Sequence, residues 1–129
     1  MPMLKFDIVE GRSDAQIQTM LDAAHRAVLT AFSVPERDRY QVVNEHKASR
    51  MVIDDTGLGI TRTTNVVVVS VVSRERSEQA KRFFYEELCR EFETSCGIKP
   101  SDVVVSITIN ADVDWSFGNG VAHFITGEL

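Results

Sequence analysis

The chain has 129 residues, 43% of them hydrophobic and 26% charged, which is enough for one core, so a single domain over 1–129 is expected. Its net charge of −5 argues against nucleic acid or an anionic membrane as the main partner, so any anion site must come from a local cluster of arginines. Lys5, Asp7 and Glu10 interrupt any apolar run at the N-terminus, and Val66 to Val72 is too short to span a bilayer, so the cytoplasm is the expected compartment.

Residue 2 is a proline behind the initiator methionine. Removal of Met1 would leave a secondary amine, which titrates near the α-amino range of roughly 7.7 to 8 before its surroundings shift it. Acid, base or iminium chemistry near neutrality is then within its reach. Leu4, Phe6 and Ile8 alternate with Lys5 and Asp7 as in a half-buried strand, and a turn at Glu10-Gly11-Arg12 follows. Ser13 offers an N-cap with Gln16 three residues on, and Ile17, Leu21, Ala24, Val28 and Phe32 form a helical stripe that Pro35 ends. Tyr40 to Asn44 reads as a second strand, so repeat one, about 2–47, is a strand-helix-strand unit joining parallel strands.

Residues 48–64 read as a connecting segment, with turn chemistry at Asp54-Asp55-Thr56-Gly57-Leu58-Gly59. Repeat two, about 65–129, follows the same plan: a strand at Asn65 to Val72, an N-cap at Ser77, a stripe of Ala80, Phe84, Leu88 and Phe92, a stop at Gly97 and a strand at Val103 to Ile109. Arg12-Ser13 matches Arg76-Ser77 and Asp38 matches Asp102, each 64 residues apart, which argues for a duplicated unit. Cys89 and Cys96 lie on the second predicted helix without accompanying histidines, so reduced thiols are expected and a zinc site is not. His25, His46 and His123 are scattered without a matching nucleophile and receive no catalytic role.

If the first strands of the two repeats pair antiparallel, Pro2 comes to face the end of the strand that finishes in Ser73-Arg74-Glu75-Arg76. In extended chain Arg74 and Arg76 point to one side and Glu75 to the other. Two guanidinium groups on one side suit a carboxylate, although an Arg-x-Arg before a helix is also an ordinary solvated turn. Asp38, just before the second strand, is placed to orient water or tune the proline nitrogen, or simply to stabilise the turn or pair with Arg37 or Arg39. After the fourth strand, Trp115 and Phe117 in the segment Asp112 to Gly120 are placed to wall a small pocket, or to seal a core edge or an interface.

Pro2, the duplicated unit, Asp38, Arg74, Arg76 and Asp114-Trp115-Ser116-Phe117-Gly118 together resemble the tautomerase superfamily, and within it the malonate semialdehyde decarboxylase family. The resemblance covers nearly the whole chain. It implies an α+β fold of two fused β-α-β repeats related by a pseudo-twofold axis, assembled as a homotrimer without metal or organic cofactor. It also implies catalytic roles for Pro2, Asp38, Arg74 and Arg76, with the arginines holding the substrate carboxylate and Trp115 and Phe117 lining the pocket. Three readings follow: a decarboxylase of a small 3-oxo acid, a tautomerase or hydratase acting on a 2-oxo acid, and a non-enzymatic binding trimer.

Overall fold

In the computed structural model, which describes all 129 residues, the first alternating segment forms strand β1 (Met3–Val9) with Leu4, Phe6 and Ile8 buried and Lys5 exposed. Helix α1 (Asp14–Phe32) starts at the Ser13–Gln16 capping box, where each side chain bonds the other's backbone N–H at 3.1 and 2.9 Å. The helix ends three residues before Pro35, because Ser33 takes a left-handed conformation (φ 52°, ψ 42°) and returns its N–H to the Leu29 carbonyl. Strand β2 (Tyr40–His46) runs two residues beyond the expected end, held by the Glu10 N–H on the His46 carbonyl at 2.8 Å.

Strand β3 covers Val67–Arg74, not Asn65–Val72. Its start is delayed because residues 63–66 form a turn in which the Val66 N–H bonds the Thr63 carbonyl and Arg12 takes the Asn65 carbonyl. Its end reaches Arg74 because the pairing with β4 (Val103–Asn110) continues to Arg74 opposite Asn110. Between them, helix α2 (Glu78–Cys96) is capped by Ser77 and stopped by Gly97, whose φ of 66° suits a residue without a Cβ. A short helix α3 (His123–Thr126) closes the chain.

The sheet order is β2-β1-β3-β4, with β1–β2 and β3–β4 parallel and β1–β3 antiparallel. This is the α+β arrangement of two β-α-β units expected from the repeat. Both long helices cover one face of the sheet. Phe6, Val67, Val69 and Val71 meet Met20, Ala24 and Val28 of α1 and Phe84, Leu88 and Phe92 of α2, and Phe32 stacks on Phe84 at 5.0 Å. Each of these side chains larger than alanine contributes about 1.5–3 kcal/mol when removed from water, so this layer supplies the main force that holds the two units together. The other face, with Lys5, Asp7 and Val42, is not covered within the chain. No helix is long and apolar enough to cross a membrane.

Candidate active site

The antiparallel pairing decides where the N-terminus lies. Met3 sits opposite Val72, so the residues before Met3 approach the end of β3 and its arginines. Pro2 is buried and shares a small cleft with His25, Asp38 and Tyr40. Asp38 is half-buried, and its carboxylate has no hydrogen bond or ion pair with the protein; Arg39 pairs instead with Asp22 at 2.6 Å. The turn before β2 is closed by backbone alone, the Asp38 N–H bonding the Pro35 carbonyl at 2.9 Å.

Arg74 and Arg76 are half-buried on either side of an exposed Glu75, as alternation requires, although Glu75 still contributes to the rim of the cleft beside them. The Arg76 Nε donates to the Ser73 hydroxyl at 3.1 Å, and its guanidinium lies 5.1 Å from the Phe32 ring centre. Arg74 donates through Nε to Asp112 at 2.7 Å and lies 4.2 Å from the ring centre of Phe124. Burial lowers the pKa of Arg76, and the neighbouring Arg74 charge adds to the effect. Two like charges held this close, and partly out of water, make a place where an anion is favoured.

In the chain with Met1 in place, the terminal amine reports the field at this point. Its pKa is lowered from 8.0 to about 6, first by burial and then by Arg76, with Arg74 acting in the same direction and Asp38 opposing them. Three of the side chains singled out in the sequence therefore act on one amine. The sequence leaves the balance between Asp38 and the arginines open. Burial tips it, because an ammonium loses hydration that a single half-exposed carboxylate does not replace.

The segment after β4 brings the aromatics to the same end. Trp115 is buried, its indole N–H donates to Asn110 at 2.6 Å, and its ring stacks on Phe117 at 5.4 Å. Phe117 also packs against Tyr40 and Phe124, at 5.7 and 5.4 Å, which links the Pro2 cleft to the Arg74 side. His123 accepts the Phe117 N–H through Nδ1 at 3.1 Å and so holds this loop. Sequence reasoning missed Tyr40, Asp112 and Phe124 as parts of the site. Tyr40 was within reach, two residues after Asp38; Asp112 lies in a single 3-10 turn after β4 and Phe124 in the four-residue helix α3, both too short to show a periodicity. No three His, Cys, Asp or Glu side chains cluster so as to hold a metal ion. Cys89 and Cys96 are free thiols, each with its pKa raised by burial.

Comparison with known proteins gives a consistent result. Two family models, each described as tautomerase enzyme, match residues 38–118 and 2–60. The probable tautomerase YrdN of Bacillus subtilis (strain 168) is 50% identical over 129 residues, the full length of both chains. A malonate semialdehyde decarboxylase, solved as wild type, as a mutant with its first-residue proline changed to alanine, and in inactivated form to explain decarboxylase and hydratase activities, is 53% identical, with 98% of each chain covered and a TM-score of 0.97. Another, FG41 malonate semialdehyde decarboxylase inhibited by 3-bromopropiolate, is 34% identical, with 98% of this chain and 97% of that one covered and a TM-score of 0.94.

Proposed function

The chain belongs to the tautomerase superfamily of enzymes, and from that premise we propose that it is a cofactor-independent decarboxylase converting malonate semialdehyde to acetaldehyde and carbon dioxide. The observation that carries the reading is the antiparallel β1–β3 pairing, which sets Pro2, in one cleft with Asp38, at the end of the strand that finishes in Arg74. Once Met1 is removed, the Pro2 nitrogen is the amine at this end of the sheet, in the cleft it shares with Asp38. The 53% identity to a malonate semialdehyde decarboxylase supports the choice of substrate.

In the proposed reaction Arg74 and Arg76 hold the substrate carboxylate and set the torsion that aligns the breaking carbon–carbon bond with the carbonyl π system. Trp115 and Phe117 keep water from the reacting carbons. The bond's electron pair must pass into the carbonyl as carbon dioxide leaves. Protonated Pro2 accommodates it by donating a hydrogen bond to the developing oxyanion, and the resulting enol tautomerises to acetaldehyde. Neutral Pro2 does so by condensing with the aldehyde, losing water to form a cationic iminium; decarboxylation gives an enamine, which is protonated and hydrolysed. Asp38 orients the water or supports the charged amine.

The second reading, a tautomerase of a 2-oxo acid, is favoured by the name of the 50% identical relative. One preparation given malonate semialdehyde with chelator present, and phenylpyruvate in parallel, distinguishes the two. Stoichiometric carbon dioxide and acetaldehyde, lost in Pro2-blocked protein, is the expected result. Tautomerisation far outrunning decarboxylation would overturn it in favour of the second reading. We also propose a homotrimer, since β2 and β4 are open sheet edges that expose Val42 and Ile109, and light scattering giving a monomer mass would refute it.

A further inference from the structure

Because positions 64 residues apart are equivalent and β1 pairs antiparallel with β3, the Pro2 end of the sheet has a counterpart at the opposite end. There Val66 stands for Pro2, Arg12 for Arg76, Asp102 for Asp38 and Glu10 for Arg74. Val66 lies within the chain, so its nitrogen is an amide, bonded to the Thr63 carbonyl at 3.2 Å, and has no basicity to offer. The surrounding surface is nonetheless concave. A cleft of about 640 Å³ runs between the end of β1, the start of α1 and the end of α2. Arg12 lines it, half-buried, with the Nη2–Asn65 carbonyl contact at 2.8 Å as its sole hydrogen bond, so its other N–H groups have no partner in the protein.

The rest of the lining narrows the ligand. Ala15 and the half-buried Cys96 give the cleft an accessible apolar patch, with Met20 and Ile98 closed off beneath it, while Thr19 and Gln16 are exposed at its rim. A planar guanidinium with spare donors grips a carboxylate in paired hydrogen bonds. Glu10 also lines the cleft and sets one negative charge against the one positive charge of Arg12, so a ligand carrying a single charge is favoured over a phosphate or a dicarboxylate. Asp102 is already engaged by Thr63, and Arg26 by Glu91 and Ser95, so neither competes for the ligand. We infer that the Arg12 cleft is a second, non-reactive site for a small monocarboxylate with a short apolar tail, the carboxylate on Arg12 and the tail against Ala15 and Cys96. This inference does not rest on the proposed reaction.

Propionate titrated into the ¹⁵N-labelled full chain tests it, with the Gly11 and Asn65 amides reporting the Arg12 cleft and the Trp115 indole N–H reporting the other end. Saturable shifts at Gly11 and Asn65 are expected, with no response to neutral propionamide at the same concentration. Arg12→Gln should weaken that response at least tenfold while the Trp115 response, read in the same spectra, is kept. Thr19→Glu, at an exposed helical position that tolerates the change, should weaken it without touching the Arg12–Asn65 bond, and it carries the test if the Arg12 variant does not fold. An unresponsive Gly11 and Asn65 in the wild-type chain, or a response indifferent to both substitutions, would overturn the inference.

Discussion

The two ends of the sheet follow one plan and differ in how their equivalent groups are partnered. Asp102 is buried and accepts hydrogen bonds from the Thr63 N–H at 2.7 Å and from the Thr63 hydroxyl, whereas Asp38 is half-buried and its carboxylate accepts none. Val66 is an internal amide; Pro2 lies one bond from becoming a free amine. Glu10 stands beside Arg12 with the opposite charge, whereas Arg74, itself paired with Asp112 at 2.7 Å, sets a second guanidinium beside Arg76. A group whose bonding capacity is filled by the protein holds the fold, and one left with capacity in a half-dry site is available to a substrate. A duplicated unit can therefore keep both architectures while, on the proposed function, only the Pro2 end reacts.

The sharpest way to break this contrast is at the amine. Protein shown by mass spectrometry to retain Met1, which places Pro2 in an amide as Val66 is, should lose at least about a hundredfold in turnover, the scale of a lost general acid or base. Full activity in such protein would remove the asymmetry altogether. Next come the arginines: Arg74→Ala and Arg76→Ala should each lower kcat/KM about 10- to 100-fold, from charge-assisted bonds worth roughly 1.5–3 kcal/mol. Arg12→Ala should leave turnover unchanged in the same assay.

The aspartates should divide in opposite ways. Asp102→Asn should cost about 1–3 kcal/mol in denaturant unfolding, since it weakens a buried acceptor that serves two donors. Asp38→Asn should move stability by no more than about 0.5 kcal/mol yet depress turnover. The pH response sharpens the same point. In protein retaining Met1 the amine should titrate near 6 by NMR, lower still in Asp38→Asn and higher in Arg76→Ala, because Asp38 raises its pKa and Arg76 lowers it. The unfolded amine, near 8.0, binds its proton first as pH falls, so this group favours folding above pH 8 and that contribution is lost down through about pH 6. The smallest effect should be that of Glu75→Gln, less than twofold in kcat/KM, because Glu75 is exposed and forms no ion pair.

The elements were legible in the chain because they rest on local rules. Alternation in Leu4, Phe6 and Ile8, the capping serines Ser13 and Ser77, and the helical stripes each satisfy a period or a backbone donor within a few residues. The 64-residue offset went further and predicted two like units. Boundaries were less legible where a distant partner sets them, as at the start of β3, which waits for a turn tied down by Arg12 and Asp102.

What sequence by itself determined is the set of chemical groups, Pro2, Asp38, Arg74, Arg76, Trp115 and Phe117, and the repeat that carries them. Tertiary structure decided which of them share one environment and how strongly each is partnered. The antiparallel β1–β3 pairing brings residues about seventy apart to one end of the sheet, and the loop after β4 sets Phe117 against Tyr40 and Phe124, contacts that no local periodicity encodes. It also decided the direction of the amine's pKa, because desolvation depends on what covers a group, and that is a property of packing in three dimensions.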